Sequence, residues 1–294
     1  MAFDFMLVIL SGYIAMSIAD RPGLVVGFVG GALSKVGTTF TSLGNPEEVL
    51  VSSGFLGALL AGFIGGYVVL FLKKLFSFMP KSLEGIRTIL IYPVAGVLLI
   101  GLIMLLINPF VSAINTGLNN FLSSMSEVNK VILGAILAGM MSVDLGGPVN
   151  KAAYTFGTGM LAEGHYEIMA AVMIGGMVAP LAIALLATFF PKKLPKKERQ
   201  AGLLNYVMGL SFISEGAIPF ASADPIRVLP SCIVGSAVSG ALSMAFNCTL
   251  MAPHGGIFVL PLIGNWFWYV VALAIGSVIA MGIMAALKKN VWEK

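Results

Sequence analysis

Residues 212–220 read FISEGAIPF, and Glu215 at their centre is the only charged residue in the otherwise neutral run 201–223. A carboxylate at the middle of an apolar helix costs about 2.5–3.5 kcal/mol on insertion scales, so a chain that keeps one there is expected to use it. Gly216 and Pro219 flank the acid. Proline removes a backbone donor and glycine loosens the chain, so an unbroken helix through this stretch is not expected. The stretch points to a broken apolar segment that faces a polar interior, because lipid cannot satisfy freed backbone groups.

The surrounding composition fixes the class. Of 294 residues, 58% are hydrophobic and only 10% charged, with a mean hydropathy of +0.98; soluble domains run near 45–50% apolar and 25% charged. The expectation is an all-α polytopic membrane protein, one membrane domain over 1–294, embedded in a lipid bilayer. Its 35 glycines and 14 prolines are dispersed through the apolar segments, as close helix packing and broken helices require. Cys232 and Cys248 form no CxxC or Cys/His cluster, so no metal site and no redox motif is expected. The net charge of +4 comes from short basic clusters beside apolar segments, which argues for membrane topology and against a nucleic-acid partner. No P-loop, GxSxG or HExxH pattern occurs, so neither ATP nor any other cofactor is expected on this chain. The start MAFDFMLVIL has an Asp and no basic region, and it is not read as a signal peptide.

Crossings need about 20 apolar residues. Clear candidates are 5–19, 51–72, 88–107, 168–190, 226–246 and 266–287. Stretches 24–33, 131–143, 152–161 and 203–220 are too short or too interrupted. Three basic clusters orient the chain: Lys73, Lys74, Lys81 and Arg87; KKLPKKER at 192–199; and Lys288, Lys289 and Lys294. By the positive-inside rule all three are cytoplasmic. Counting back puts Asp20 and Arg21 inside and Met1 outside. An external start without a signal peptide leads to the expectation that one helix is missing upstream. From Lys130 the path must leave the outside and return to it, by two short crossings or a hairpin around DLGGPVNK. From Ala201 it starts and ends inside, so 203–220 enters from the cytoplasm and turns back.

The intramembrane ionisable groups cluster in three motifs, each pairing polar groups with Gly or Pro: Glu215 followed by Asp224 and Arg227; Asp144 and Lys151 in MSVDLGGPVNKAAYTFG; and His254 in APHGG. Open backbone groups beside such residues suit a hydroxyl-rich solute. Plain structural readings stand beside these. Asp144 and Lys151 could neutralise one another, Asp224 before Pro225 reads as a helix cap paired with Arg227, and His254 could be a turn residue. Glu215 has no basic residue within eleven positions, which leaves it the hardest to explain structurally.

Four segments are familiar at this point: SGYIAMSIADRPG (11–23), DLGGPVNKAAYTFG (144–157), MGLSFISEGAIPFASADPIRVLPS (208–231) and APHGGIFVLP (252–261). In order and over nearly the whole chain they closely resemble the fructose family of phosphotransferase-system sugar permeases, the membrane component enzyme IIC. The resemblance implies the fold of the glucose superfamily of these permeases, with about eight to nine transmembrane segments plus re-entrant hairpins. Residues 1–129 would form a scaffold and dimerisation part, and 130–294 a substrate-transport part that moves elevator-fashion. It also implies that the protein, a homodimer in the bacterial inner membrane, binds fructose or a related sugar. It would carry the sugar inward for phosphorylation by a IIB phosphocysteine, with IIB and IIA on separate chains.

Glu215 matches the family's acidic motif, with Ser214 where Thr is more usual, and becomes the expected catalytic residue. Substrate contacts are expected from Asp144, Gly146, Gly147, Asn150, Lys151, Ser214, Gly216, Pro219, Asp224 and His254. Related glucose-type permeases carry a histidine motif where this chain has DLGGPVNK, so no histidine role is placed there. Two rivals come from other classes: a gradient-driven transporter using Glu215 and Asp144 as proton carriers, and a non-transporting sensor or assembly subunit.

Overall fold

Apolar runs spaced by glycine, proline and basic turns become helices throughout the computed structural model, which describes residues 5–45, 50–125 and 127–290. Met1 and Lys294, on which part of the topology count rests, lie outside the described residues. The chain divides into two compact units, Met1–Ser124 and Met125–Lys294.

In the first unit α1 (Met6–Ala19) and α2 (Arg21–Val36) form a tight hairpin through Asp20, whose φ is 60°. Pro22 sits in the first turn of α2, where a missing N–H is tolerated. Stretch 24–33, expected to be too interrupted, is instead continuous helix. Its glycines pack rather than break: a Cβ on Gly27 would stand 2.7 Å from the Ala15 Cβ of α1, so only glycine permits this approach. After the short α3 (Phe40–Gly44) come α4 (Gly54–Leu75) and the single turn α5 (Glu84–Ile86). A π-helical turn, Arg87–Ile91, then leads into α6 (Tyr92–Ser124).

The two ends of this unit are chemically unlike. At one end Lys73 Nζ donates to Ala19 O at 2.9 Å and to the Asp20 carboxylate at 3.1 Å, so the α1–α2 turn and the first basic loop share a side, as the charge count requires. At the other, the amide of Asn108 donates to Leu33 O and Thr38 O and accepts from Ser53 Oγ, a buried neutral network.

The second unit is built around α9 (Tyr166–Phe189), whose residues 168–184 are all buried. Around it stand α7 (Glu127–Met141), α8 (Pro148–Ala162), α10 (Lys196–Leu210), α12 (Pro225–Ala245) and α13 (Trp266–Leu287). Small residues carry the contacts: Ser236 Oγ donates to Gly175 O at 2.8 Å and shares a 2.7 Å hydrogen bond with Ser142, and Ser239 Oγ donates to Ala272 O. Hydroxyls here hold helices together where lipid supplies no hydrophobic drive. The short α11 (Ile218–Ala223) follows α10, and a two-residue antiparallel ladder, β1 (Thr249–Leu250) with β2 (Ile263–Gly264), is the only sheet among the described residues.

Five helical stretches are long and apolar enough to cross a membrane: Gly54–Phe78, Glu84–Leu122, Tyr166–Phe189, Pro225–Ala245 and Trp266–Leu287. The segment expected to cross at 5–19 is a helix of only 14 residues, about 21 Å at 1.5 Å per residue. Helices α7, α8 and α10 have 15 residues each, also short of the roughly 30 Å hydrocarbon core.

Helices α10 and α11 leave from and return to one end. Lys193 Nζ donates to Lys288 O at 2.6 Å, Lys288 Nζ reaches the Asp224 carboxylate at 3.1 Å, and Arg227 reaches it at 3.2 Å. The second and third basic clusters therefore meet here. Asp224 pairs with Arg227 as its spacing suggests, but its side chain caps no backbone N–H. Burial pushes the Asp224 carboxyl up, yet the hydrogen bonds and charges of Lys288 and Arg227 outweigh it and hold the group below the usual carboxylate value. A depressed folded value stabilises the protein above the unfolded pKa of about 3.9, and that contribution is lost as pH falls through the folded one. Asp224→Asn leaves the covered Lys288 ammonium without its anion and is expected to cost about 3 kcal/mol at pH 7. Thermal unfolding in detergent should show a lower melting temperature for the variant at pH 7 and a gap that narrows below about pH 4.

Candidate functional site

The turn between α7 and α8 is organised by Asp144. Its two carboxylate oxygens accept from Val149 N at 2.7 Å and Asn150 N at 2.9 Å, amides of the first turn of α8 that have no partner inside the helix. Leu145 at φ 50° and Gly146 at φ 116° make the bend, and Pro148 opens the helix. Asp144 therefore binds backbone. It does not pair with Lys151, as one reading of the spacing had it. Held in this way, Asn150 is 2% exposed, donates from Nδ2 to Met141 O at 2.7 Å and approaches Ser214 Oγ at 3.5 Å.

The second tip is FISEG. Helix α10 stops at Leu210, Phe212 takes φ 62°, and Ser214–Ala217 forms a 3-10 turn before α11. Pro219 lies in the first turn of α11, so it starts a helix rather than ending one. Gly216 folds back on α10: a Cβ there would stand 2.6 Å from Met208 Sδ. These two residues shape the tip and turn Glu215 outward. The Glu215 carboxylate rests against Gly146, where a Cβ would stand 2.9 Å from Oε1, and faces Lys151 Nζ at 3.5 Å. Both partners are about half exposed, at 46% and 59% of their side chains. Such an open pair contributes about 0–1 kcal/mol and yields readily to another polar group.

The third tip is APHGG, carried by the β1–β2 ladder. Gly256, at φ 59°, brings its backbone against α10's end, and a Cβ there would stand 2.8 Å from Phe212 N. The His254 ring lies 5.0 Å from that of Phe212, which in turn lies 6.0 Å from Tyr154.

Together the three tips enclose a cavity of about 130 Å³. Glu215, Asn150, Lys151, Ser214 and His254 line it. Gly146 and Gly147 shape its first tip, Gly216 and Pro219 its second, and Asp144 fastens α8 beneath it. Asp224 is not among the lining residues. Its place is the ion pair at the far end of α11. Sequence reasoning missed Met141, Tyr154, Phe212 and Ile213, which also line the cavity. Tyr154 had a signal, since it stands one helical turn beyond Asn150 and Lys151. The chemistry is legible: a carboxylate acceptor, an ammonium and amide as donors, hydroxyl and imidazole groups, and aromatic edges against which C–H faces can pack. The volume lies below the 300–1,000 Å³ common for ligand pockets, so the tips must part to admit a larger solute.

Comparison with known proteins identifies the family of the chain. Residues 1–235 match the sequence profile of the family described as "Phosphotransferase system, EIIC". The chain is 47% identical over 294 residues to the "Fructose permease IIC component" of Bacillus amyloliquefaciens, covering 100% of this chain and 92% of that one. It is 46% identical over 294 residues to the "PTS system fructose-specific EIIABC component" of Bacillus subtilis (strain 168), covering 100% of this chain and 44% of the relative. To the "PTS system fructose-specific EIIB'BC component" of Escherichia coli (strain K12) it is 46% identical over 296 residues, covering 98% and 49%. The chain thus spans less than half the length of these last two relatives. No solved structure matches. With a profile matched over residues 1–235 and near-half identity running the length of the chain, the protein belongs to the phosphotransferase system EIIC family.

Proposed function

We propose that this chain is the membrane component of a fructose phosphotransferase system, binding fructose or a related ketose at the three tips, carrying it inward and presenting it to a phosphorylated IIB. It is a multi-pass protein of the bacterial inner membrane. The observation that carries the reading is the Glu215 carboxylate at the α10–α11 tip, loosely held by Lys151 and beside the buried Asn150. Both ends of that hairpin lie with the basic clusters, so it enters from the cytoplasm and turns back, while α7–α8 enters from outside. With the short α1–α2 hairpin bringing Asp20 to the inside and α4, α6, α9, α12 and α13 as full crossings, the chain alternates sides and leaves every basic cluster inside.

In this reading Glu215 takes the proton of the attacking sugar hydroxyl as its oxygen bonds to phosphorus. The S–P bond of the IIB phosphocysteine breaks in line and the thiolate leaves. Lys151, Asn150, Ser214 and His254 orient the remaining hydroxyls, and exchange of the open Glu215–Lys151 pair for sugar hydroxyls accompanies the parting of the tips. IIA and IIB act as partners, as the composite names of the relatives suggest, and the protein works as a homodimer. The scaffold and elevator roles of the two parts belong to the same proposal, supported by the fact that every cavity residue lies in the second unit.

The test is reconstitution. Proteoliposomes given phosphorylated IIB should convert external fructose to internal fructose 1-phosphate and take up no free sugar without IIB. Uptake driven by a pH gradient, without IIB and without phosphorylation, would replace this reading with the gradient-driven one.

A further inference from the structure

A cavity lined only by residues of the first unit lies at that unit's charged end. It measures about 800 Å³ and is lined by the end of α1, the start of α2, the end of α4 and the start of α5–α6. Three cations face it: Arg21, Lys73 and Arg87. Two carboxylates, Asp20 and Glu84, share the wall and leave an excess of one positive charge.

The cations are not all occupied. Lys73 is engaged by Ala19 O and Asp20. The guanidinium of Arg21, at the first position of α2, makes no hydrogen bond or ion pair among the described residues. Arg87 donates from Nη1 to Phe76 O and lies a long 3.9 Å from Glu84, and its Nε is buried without a partner. A buried guanidinium N–H left unmade is costly, and it marks a place where an acceptor belongs. The hydroxyl of Ser77 stands on the same wall, while that of Thr88 already donates to Glu84 O at 2.9 Å. The π-helical turn Arg87–Ile91, a rare geometry that recurs at functional sites, turns Arg87 and Thr88 to this wall.

We propose that this cavity binds an anionic phosphate group, held by the free fork of Arg21 and by Arg87, with Lys73 and the Ser77 hydroxyl around it. Guanidinium forks match phosphate oxygens two at a time. By the positive-inside rule this end lies at the cytoplasmic leaflet, where basic pockets between helices receive lipid headgroups. Exposed Phe71, Ile86, Ile89 and Leu90 flank the segments that line it and give acyl chains a surface. The same chemistry would accept a free phosphate from the cytoplasm, so the test separates the two sources.

The purified full-length chain in neutral detergent is titrated with short-chain phosphatidylglycerol, short-chain phosphatidylcholine and inorganic phosphate, with binding read by native mass spectrometry. Phosphatidylglycerol should bind several-fold more tightly than phosphatidylcholine. Arg21→Gln, at an exposed and unpaired position, should remove most of that preference, and Glu84→Gln should raise it. Lys197→Gln, in the other unit, should leave it unchanged. Inorganic phosphate binding of similar strength, lost in Arg21→Gln, would assign the site to the soluble source. Equal binding of the two lipids, or a preference that survives both Arg21→Gln and Arg87→Lys, would overturn the proposal.

Discussion

Membranes carrying Glu215→Gln and supplied with phosphorylated IIB should form fructose 1-phosphate at least 10²-fold more slowly than wild type, while fructose affinity changes only a few-fold. The magnitude follows from the role. A positioned general base contributes about 10²–10⁴ to rate, whereas the amide of glutamine still accepts a hydrogen bond from the hydroxyl but takes no proton. Loss of the fold is not a rival explanation, because the Glu215–Lys151 pair is half exposed and contributes little to stability. Calorimetric titration with fructose checks binding, and initial rates check turnover. An unchanged rate would remove Glu215 from the chemistry. Equal loss of affinity and rate would make it a sugar ligand alone.

Composition made the membrane class readable, and charge placement brought out which basic residues share an end within each unit, because both rest on single residues and short clusters. The three motifs at the site were readable for the same reason: DLGGPVNK, FISEG and APHGG each put a polar group beside a backbone that glycine or proline frees. Their meeting was not readable. Lys151 and Glu215 are 64 positions apart, and nothing local pairs them.

Helix α2 shows a different limit. Glycine in a soluble helix weakens it by about 1 kcal/mol. In α2 the same glycines let α1 approach and hold the helix together. Phe212 shows a third, since a bulky residue at φ 62° is set by the packing of Gly256 and His254 against it and not by its own preference. Asp224 reads as a site residue because it follows the acidic motif closely. Lys288, its better-covered partner, is 64 positions away.

Gly146 and Gly164 give a matched pair in which strain can be separated from the site. Both have a left-handed φ, at 116° and 91°, so alanine at either position should cost about 1–3 kcal/mol in backbone strain. Around Gly164 an added Cβ meets nothing within 4 Å. At Gly146 it stands 2.9 Å from Glu215 Oε1, closer than real Cβ contacts occur, and a tight 3.0 Å from Glu215 Cγ. Glu215 must then swing off the α7–α8 tip and away from Lys151, or the tip must open by a few tenths of an ångström. A 1 Å misplacement of a catalytic group costs about 10²-fold, and a shift of a few tenths of an ångström correspondingly less. Gly164→Ala should therefore lower the melting temperature and leave sugar phosphorylation within a few-fold of wild type. Gly146→Ala should lower the melting temperature by a similar amount and reduce phosphorylation by at least tenfold. Equal activity in the two variants, measured at matched amounts of folded protein, would show that contact between the two tips is not needed for turnover.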